Sequence, residues 1–82
     1  MNPELVGKRV KILMNSKGIK RSYLAKMMGI SYNTLTSKLN GKSEFSIIQI
    51  EKIKKLLDLN DEVSANIFFN PNYEIPENKE VI

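Results

Sequence analysis

Apolar residues in this chain recur at intervals of three and four, and nowhere alternate long enough to build a sheet. Such spacing lines side chains along one face of a helix, so the sequence predicts an all-α fold. Val6, Val10, Leu13 and Met14 form the first stripe, opened by Pro3 in a first helical turn and ended by Gly18. Leu24, Ala25 and Met28 mark a short second helix from about Arg21 to Met28. Gly29 then serves as its left-handed cap, and Ile30 returns to the core. Ser31 N-caps a third helix, Tyr32 to Leu39, which Asn40-Gly41 closes. Ser46 caps a fourth carrying Ile47, Ile50, Ile53 and Leu57. Asn60 caps a fifth, Asp61 to Phe69, with the acidic first turn that a helix dipole favours. The expected architecture is a compact five-helix bundle over residues 1–69. Asn70-Pro71-Asn72 reads as a stop, and residues 70–82 as a polar tail, ordered only where something docks on it.

With 82 residues there is room for one domain and one modest core. The absence of cysteine and histidine removes disulfides, thiol nucleophiles, imidazole bases and the zinc sites built from those ligands. No nucleophile–base or acid–base pair can be assembled, so an enzyme is not expected. No cofactor, metal or small-molecule ligand is indicated. No apolar run approaches the roughly 20 residues of a membrane span. Met1-Asn2-Pro3-Glu4 lacks the features of a signal peptide, and a soluble, cytoplasmic protein is the expectation.

Charge is segregated along the chain. Between Leu5 and Ser43 there are nine lysines and arginines and no acid, whereas from Asn60 onward five acids face one lysine. A basic half of this kind is the footprint of a polyanion binder, although charge alone does not distinguish DNA from RNA or an anionic membrane.

Arg21 to Asn40 is the informative stretch. Two short helices there are joined by a tight turn at Gly29, with Leu24, Met28, Ile30 and Leu35 apolar. Ala25 is small where the two helices must cross closely. That pattern is what a helix-turn-helix requires: the first helix crosses the nucleic-acid backbone, and the second presents its leading side chains to base edges.

Gly18-Ile19, Leu24-Ala25, Gly29-Ile30-Ser31, Leu35, Asn40-Gly41-Lys42 and the apolar helix Ile47–Leu57 together resemble the phage repressor and Cro family, the lambda-repressor-like DNA-binding domains. The closing Ile67-Phe68-Phe69 resembles a phage-derived repressor subgroup. The resemblance covers residues 4–69. It implies a homodimer on double-stranded DNA at a near-palindromic operator, repression by occlusion, and no cofactor. It also implies base reading by Ser31, Tyr32, Asn33 and Ser37, and a phosphate clamp at Arg21. The side-chain chemistry agrees. Asn33 can pair bidentately with adenine, Ser37 can donate or accept, and Tyr32 offers a hydroxyl and a ring. Thr36 lies on the same exposed face and joins the base-reading set. Lys38 and the loop Lys42-Ser43 complete the phosphate contacts, the loop offering a cation and backbone N–H groups. Lys8, Lys11 and Lys17 read as solvated.

Four positions depart from the family pattern. Lys20 stands where a Ser or Thr cap is usual, and Lys38 where an apolar residue is. Met14 and Leu39 replace an Arg–Glu pair, an exchange of a buried ion pair for an apolar one that need not destabilise. A sequence-specific repressor is the leading reading. A protein-interaction module such as an antitoxin or adaptor would not need Tyr32, Asn33 and Ser37. An RNA binder would ordinarily show exposed aromatic platforms. Ile48, Phe69 and Tyr73 are the apolar residues least required by the core, and so the candidates for a dimer interface.

Overall fold

The computed structural model describes residues 1–76. Five helices follow in order: α1 Pro3–Lys17, α2 Arg21–Met28, α3 Tyr32–Leu39, α4 Ile47–Leu56 and α5 Asp61–Phe69. Their ends are set locally. Asn2, Ser31, Ser46 and Asn60 each accept a hydrogen bond from the backbone N–H three residues on. Ser46 adds a full capping box, because the Gln49 side chain accepts from its N–H in return at 2.9 Å. Lys20 makes no such bond, so α2 starts without a side-chain cap, as its residue type predicts. At α5 the acidic turn is partly neutralised by an exposed pair between Asp61 and Lys54. Their mutual hydrogen bond holds the Asp61 carboxyl below its ordinary range and the Lys54 ammonium above its own.

One core runs through the bundle. Val6, Val10 and Met14 from α1 meet Leu24, Ala25 and Met28 from α2, Leu35 and Leu39 from α3, Ile50 and Ile53 from α4, and Ile67 and Phe68 from α5. Phe45, on the connection into α4, sets its ring edge-on to Phe68 with centroids 6.4 Å apart. The helix carrying the polar face, α3, packs on both α1 and α2.

The contact between α1 and α3 is unusually close. A Cβ on Gly7 would lie 2.7 Å from the Leu39 carbonyl carbon and nearer still to its oxygen. Just beyond, Gly41 abuts Glu4, whose Cα and N would be 2.7 and 2.9 Å from an added Cβ. Both obstacles are backbone, which no rotamer change can clear. Gly7→Ala should therefore destabilise the domain by about 2 kcal/mol, because prising two helices apart outweighs the ~1 kcal/mol that alanine contributes within a helix. Urea unfolding of the two proteins measures the difference, and a stabilised variant would contradict the close crossing.

Met14 and Leu39 are both buried, at 6% and 1% exposure, in the same cluster. The register expected for α3 therefore holds, with Leu35 and Leu39 inward. Met14→Arg or Leu39→Glu alone should cost several kcal/mol, about 3 each, by burying an unpaired charge. The double variant should recover much of that loss. A thermodynamic cycle on the four proteins reads the coupling directly, and additive losses would mean that the two positions are independent.

By sequence Arg9 is one more cation of the basic half. It is 4% exposed. Nη1 donates to the carbonyls of Asn66 and Ile67, each at 3.0 Å, and Nη2 to that of Tyr73. The guanidinium also lies 5.6 Å from the Tyr73 ring centroid. A cation thus caps the carbonyl end of α5, where the helix dipole is negative, and fastens it to α1. It also draws back the segment that follows. Tyr73 and Ile75 pack against the core, so ordered packing continues beyond Phe69. The rest of the expected tail, residues 77–82, lies outside the described residues. Of the candidate interface residues, Ile48 and Phe69 are exposed, whereas Tyr73 is half-buried against Arg9.

Candidate nucleic-acid interface

Gly29 ends α2 in the left-handed conformation, at φ 73°, and this reverses the chain within three residues. The N–H groups of Gly29 and Ile30 return to the carbonyls of Lys26 and Ala25, each at 3.1 Å, closing the last turn of α2. Ile30 packs against the core, and Ser31 opens α3. Leu24, Ala25, Met28 and Leu35 are buried between the two helices. Their crossing is therefore fixed by apolar packing, and the remaining sides of α3 are free for other work.

At about 100° per residue, the positions opposite the Leu35–Leu39 edge are Asn33 and Ser37, with Thr34 and Thr36 on either flank. Asn33 and Thr34 are exposed; Thr36 and Ser37 are half-buried. Tyr32, 52% exposed, stands at the leading end. Asn33, Thr34 and Ser37 form one polar surface with Thr36 at its α2 flank, whereas Tyr32 falls on the Leu39 side and faces the groove beside Arg21. Ser31 lies at its edge, with its hydroxyl largely committed to structure. It accepts from the Thr34 N–H at 3.0 Å and donates to Thr34 Oγ1 at 2.9 Å. The Thr34 hydroxyl, having accepted that proton, keeps its own to donate outward. Thr34 was missed in the sequence. The signal was present in a second hydroxyl three residues after the cap.

The cations divide into groups. Arg21 is half-buried between α2 and α3, its Nη1 donating to Thr36 Oγ1 at 3.1 Å and its guanidinium carbon 5.8 Å from the Tyr32 ring centroid. A groove of about 570 Å³ opens beside it, lined by Lys11, Met14, Asn15, Gly18, Ile19, Lys20, Arg21 and Tyr32. Three cations converge there, Lys11 from α1 and Lys20 and Arg21 from the start of α2, whose N–H groups lack a side-chain cap. Lys11 is therefore more than a solvated charge. Its Nζ reaches Asn40 Oδ1 at 3.4 Å, alongside α3. It sits three residues before Met14, on the side of α1 that meets α3, and that spacing was its signal.

At the other end of α3, Lys38 is half-buried and donates to the Glu44 carbonyl at 2.8 Å, so its ammonium braces the loop into α4. Lys42 and Ser43 are exposed in that loop. The Lys42 N–H is already engaged, donating to the Ser37 carbonyl at 2.9 Å at the end of α3. Of the two backbone groups expected to be offered there, that one is withdrawn for a structural reason, because the helix end needs a donor.

Two short helices joined by a glycine turn, the second showing a polar face between clusters of cations, define a helix-turn-helix DNA-binding domain. A family model of the Cro/C1-type HTH DNA-binding domain matches residues 9–60, and the chain belongs to that family. No curated protein and no solved structure matches the chain significantly. Membership makes this the domain of a DNA-binding regulator and points away from catalysis. Among the described residues, no helix is long and apolar enough to cross a membrane.

Proposed function

We propose that the protein is a sequence-specific transcriptional repressor of the phage type, acting in the cytoplasm by occluding a near-palindromic operator that it binds as a homodimer. One observation carries the reading: Asn33, Thr34 and Ser37 share the side of α3 turned away from its buried Leu35–Leu39 edge, with exposed Tyr32 at the leading end beside Arg21 and with cations at both ends of the helix. An α-helix of this size fits the major groove, where amide and hydroxyl groups distinguish base pairs by their donor and acceptor patterns. Asn33 reads adenine, Ser37 reads one turn further along, and Tyr32 works at the entry. Ser31 contributes at the margin through its remaining lone pair. Arg21, Lys42 and Ser43 hold the flanking phosphates, while Lys38, turned onto the Glu44 carbonyl, braces the loop that carries Lys42 and Ser43. Repression, as against activation, agrees with the surface of α2, whose only charges are Arg21 and Lys26.

Selection of bound sequences from a random duplex pool tests the reading. Two symmetric half-sites with centres about 34–36 Å apart are the expected product. A single half-site protected by one subunit would remove the dimer. Asn33→Ala should then cost about 1–3 kcal/mol at the selected site and little on random DNA. Equal losses on both duplexes would mean that Asn33 does not read a base.

A further inference from the structure

We propose that Thr36 is a positioning residue for Arg21 and does not itself read a base. The proposal rests on the DNA-binding reading above and deepens it, by assigning to one hydroxyl of α3 a task directed at the phosphate backbone.

A surface arginine ordinarily samples many rotamers, and ordering it on a phosphate costs entropy. Arg21 is already held at two points, by the hydrogen bond to Thr36 Oγ1 at 3.1 Å and by the Tyr32 ring 5.8 Å away. Both anchors lie on α3, eleven and fifteen residues further along the chain. The guanidinium is planar, so fixing one N–H and one face orients the remaining N–H groups as well. The side chain lines the groove that also holds Lys11 and Lys20. No carboxylate neutralises it, since the only ion pair among the described residues is Lys54–Asp61. Arg21 is thus a charged fork set in advance for an anion, the preorganisation that spares ordering cost on binding.

Thr36 is suited to this task and poorly placed for the other. It sits on the α2 flank of α3, beside buried Leu35 and against Arg21, and like Ser37 is half-buried. Accepting from Arg21 takes one lone pair of its oxygen and turns it toward α2, away from the outward ridge. Asn33 and Ser37 occupy the outward ridge, where base edges would lie.

Binding of the wild type, Thr36→Val, Thr36→Ser, Arg21→Ala and the Arg21→Ala/Thr36→Val double variant is measured by fluorescence anisotropy. The probes are the selected site and a random duplex, each across a series of KCl concentrations. Thr36→Val should weaken both duplexes by a similar factor, about tenfold at low salt, as expected for a lost charge-assisted contact. Its salt slope should be shallower by up to about 0.9 per subunit. Thr36→Ser, which keeps the acceptor, should restore both. In the Arg21→Ala background, Thr36→Val should change nothing. Thr36→Ala, which also lacks the acceptor but favours the helix, replaces the valine variant should the latter melt early. A loss confined to the selected site with the slope intact would overturn the proposal, and so would additive losses in the double variant. In either case Arg21→Ala would still flatten the slope, leaving the DNA reading in place. A wild type that binds neither duplex would remove that reading, and the proposal with it.

Discussion

Raising KCl from 50 to 200 mM should weaken operator binding by about four orders of magnitude. The figure comes from the cations that α3 and its neighbours hold together. Lys11, Lys20 and Arg21 line one groove, and Lys42 stands in the loop at the far end of α3. If each neutralises one phosphate, a dimer engages about eight. At roughly −0.9 per phosphate, log K against log salt then slopes near −7. A fourfold rise in salt at that slope is a change on the order of 10⁴. Two cations of the basic half stay out of the count for structural reasons. Arg9 is buried in the bundle, and Lys38 is turned onto the Glu44 carbonyl. Arg21→Ala should make the slope shallower by about 0.9 per subunit without changing the preferred sequence. Anisotropy titrations over a salt series provide the slopes. A value close to zero would mean that the basic half serves something other than a polyanion.

Arg9→Met should cost about 3 kcal/mol of folding stability and leave the salt slope of DNA binding where it was. Methionine keeps much of the length and the apolar stem, so the loss isolates the guanidinium. Three carbonyls, of Asn66, Ile67 and Tyr73, lose their donor in a site that water reaches poorly. Hydrogen bonds to a charged group contribute about 1.5–3 kcal/mol each, and orphaned acceptors add a desolvation penalty. Against this stands the relief of no longer burying an uncompensated cation, which removes part of the total. The balance remains clearly unfavourable because the capped carbonyls remain behind. For a domain of this size the melting temperature should fall by about 15 °C. Urea unfolding measures the loss. Amide exchange should show it concentrated in residues 66–76, the segment that Arg9 ties to α1. A change below about 1 kcal/mol with that segment still protected would mean that packing alone holds α5.

Helix positions were legible because their determinants are local. Asn60, Ser46 and Ser31 cap the residues that directly follow them, and the apolar positions of α4 repeat within a single helix. The inward register of α3 could be read from Leu35 and Leu39 for the same reason. What escaped was long-range and carried by backbone. The partners of Arg9 are carbonyls more than fifty residues away, and a carbonyl has no letter in the sequence. An arginine among lysines looks alike whether it faces solvent or the inside of a bundle. Gly7 passed unnoticed within a helical pattern, since only the Leu39 backbone above it explains why a side chain has no room. The polar face was legible as a set of residue types. How its hydroxyls are divided among capping, bracing and recognition depends on where Arg21 and Thr34 turn, and sequence spacing does not give that.

The seam between Gly7 and Leu39 also decides which molecule must yield when the two meet. A helix cushioned by side chains can tilt a little as rotamers change, but one seated backbone to backbone has no such slack. If two of these domains pair on DNA as proposed, α1 and α3 of each subunit would move as one stiff body, and misfit at a half-site would pass to the duplex. Operators would then be graded partly by how readily the stretch between half-sites twists or bends. On the homodimer reading proposed above, pyrimidine–purine steps would be favoured there and stiff A-tracts penalised, at base pairs no side chain touches.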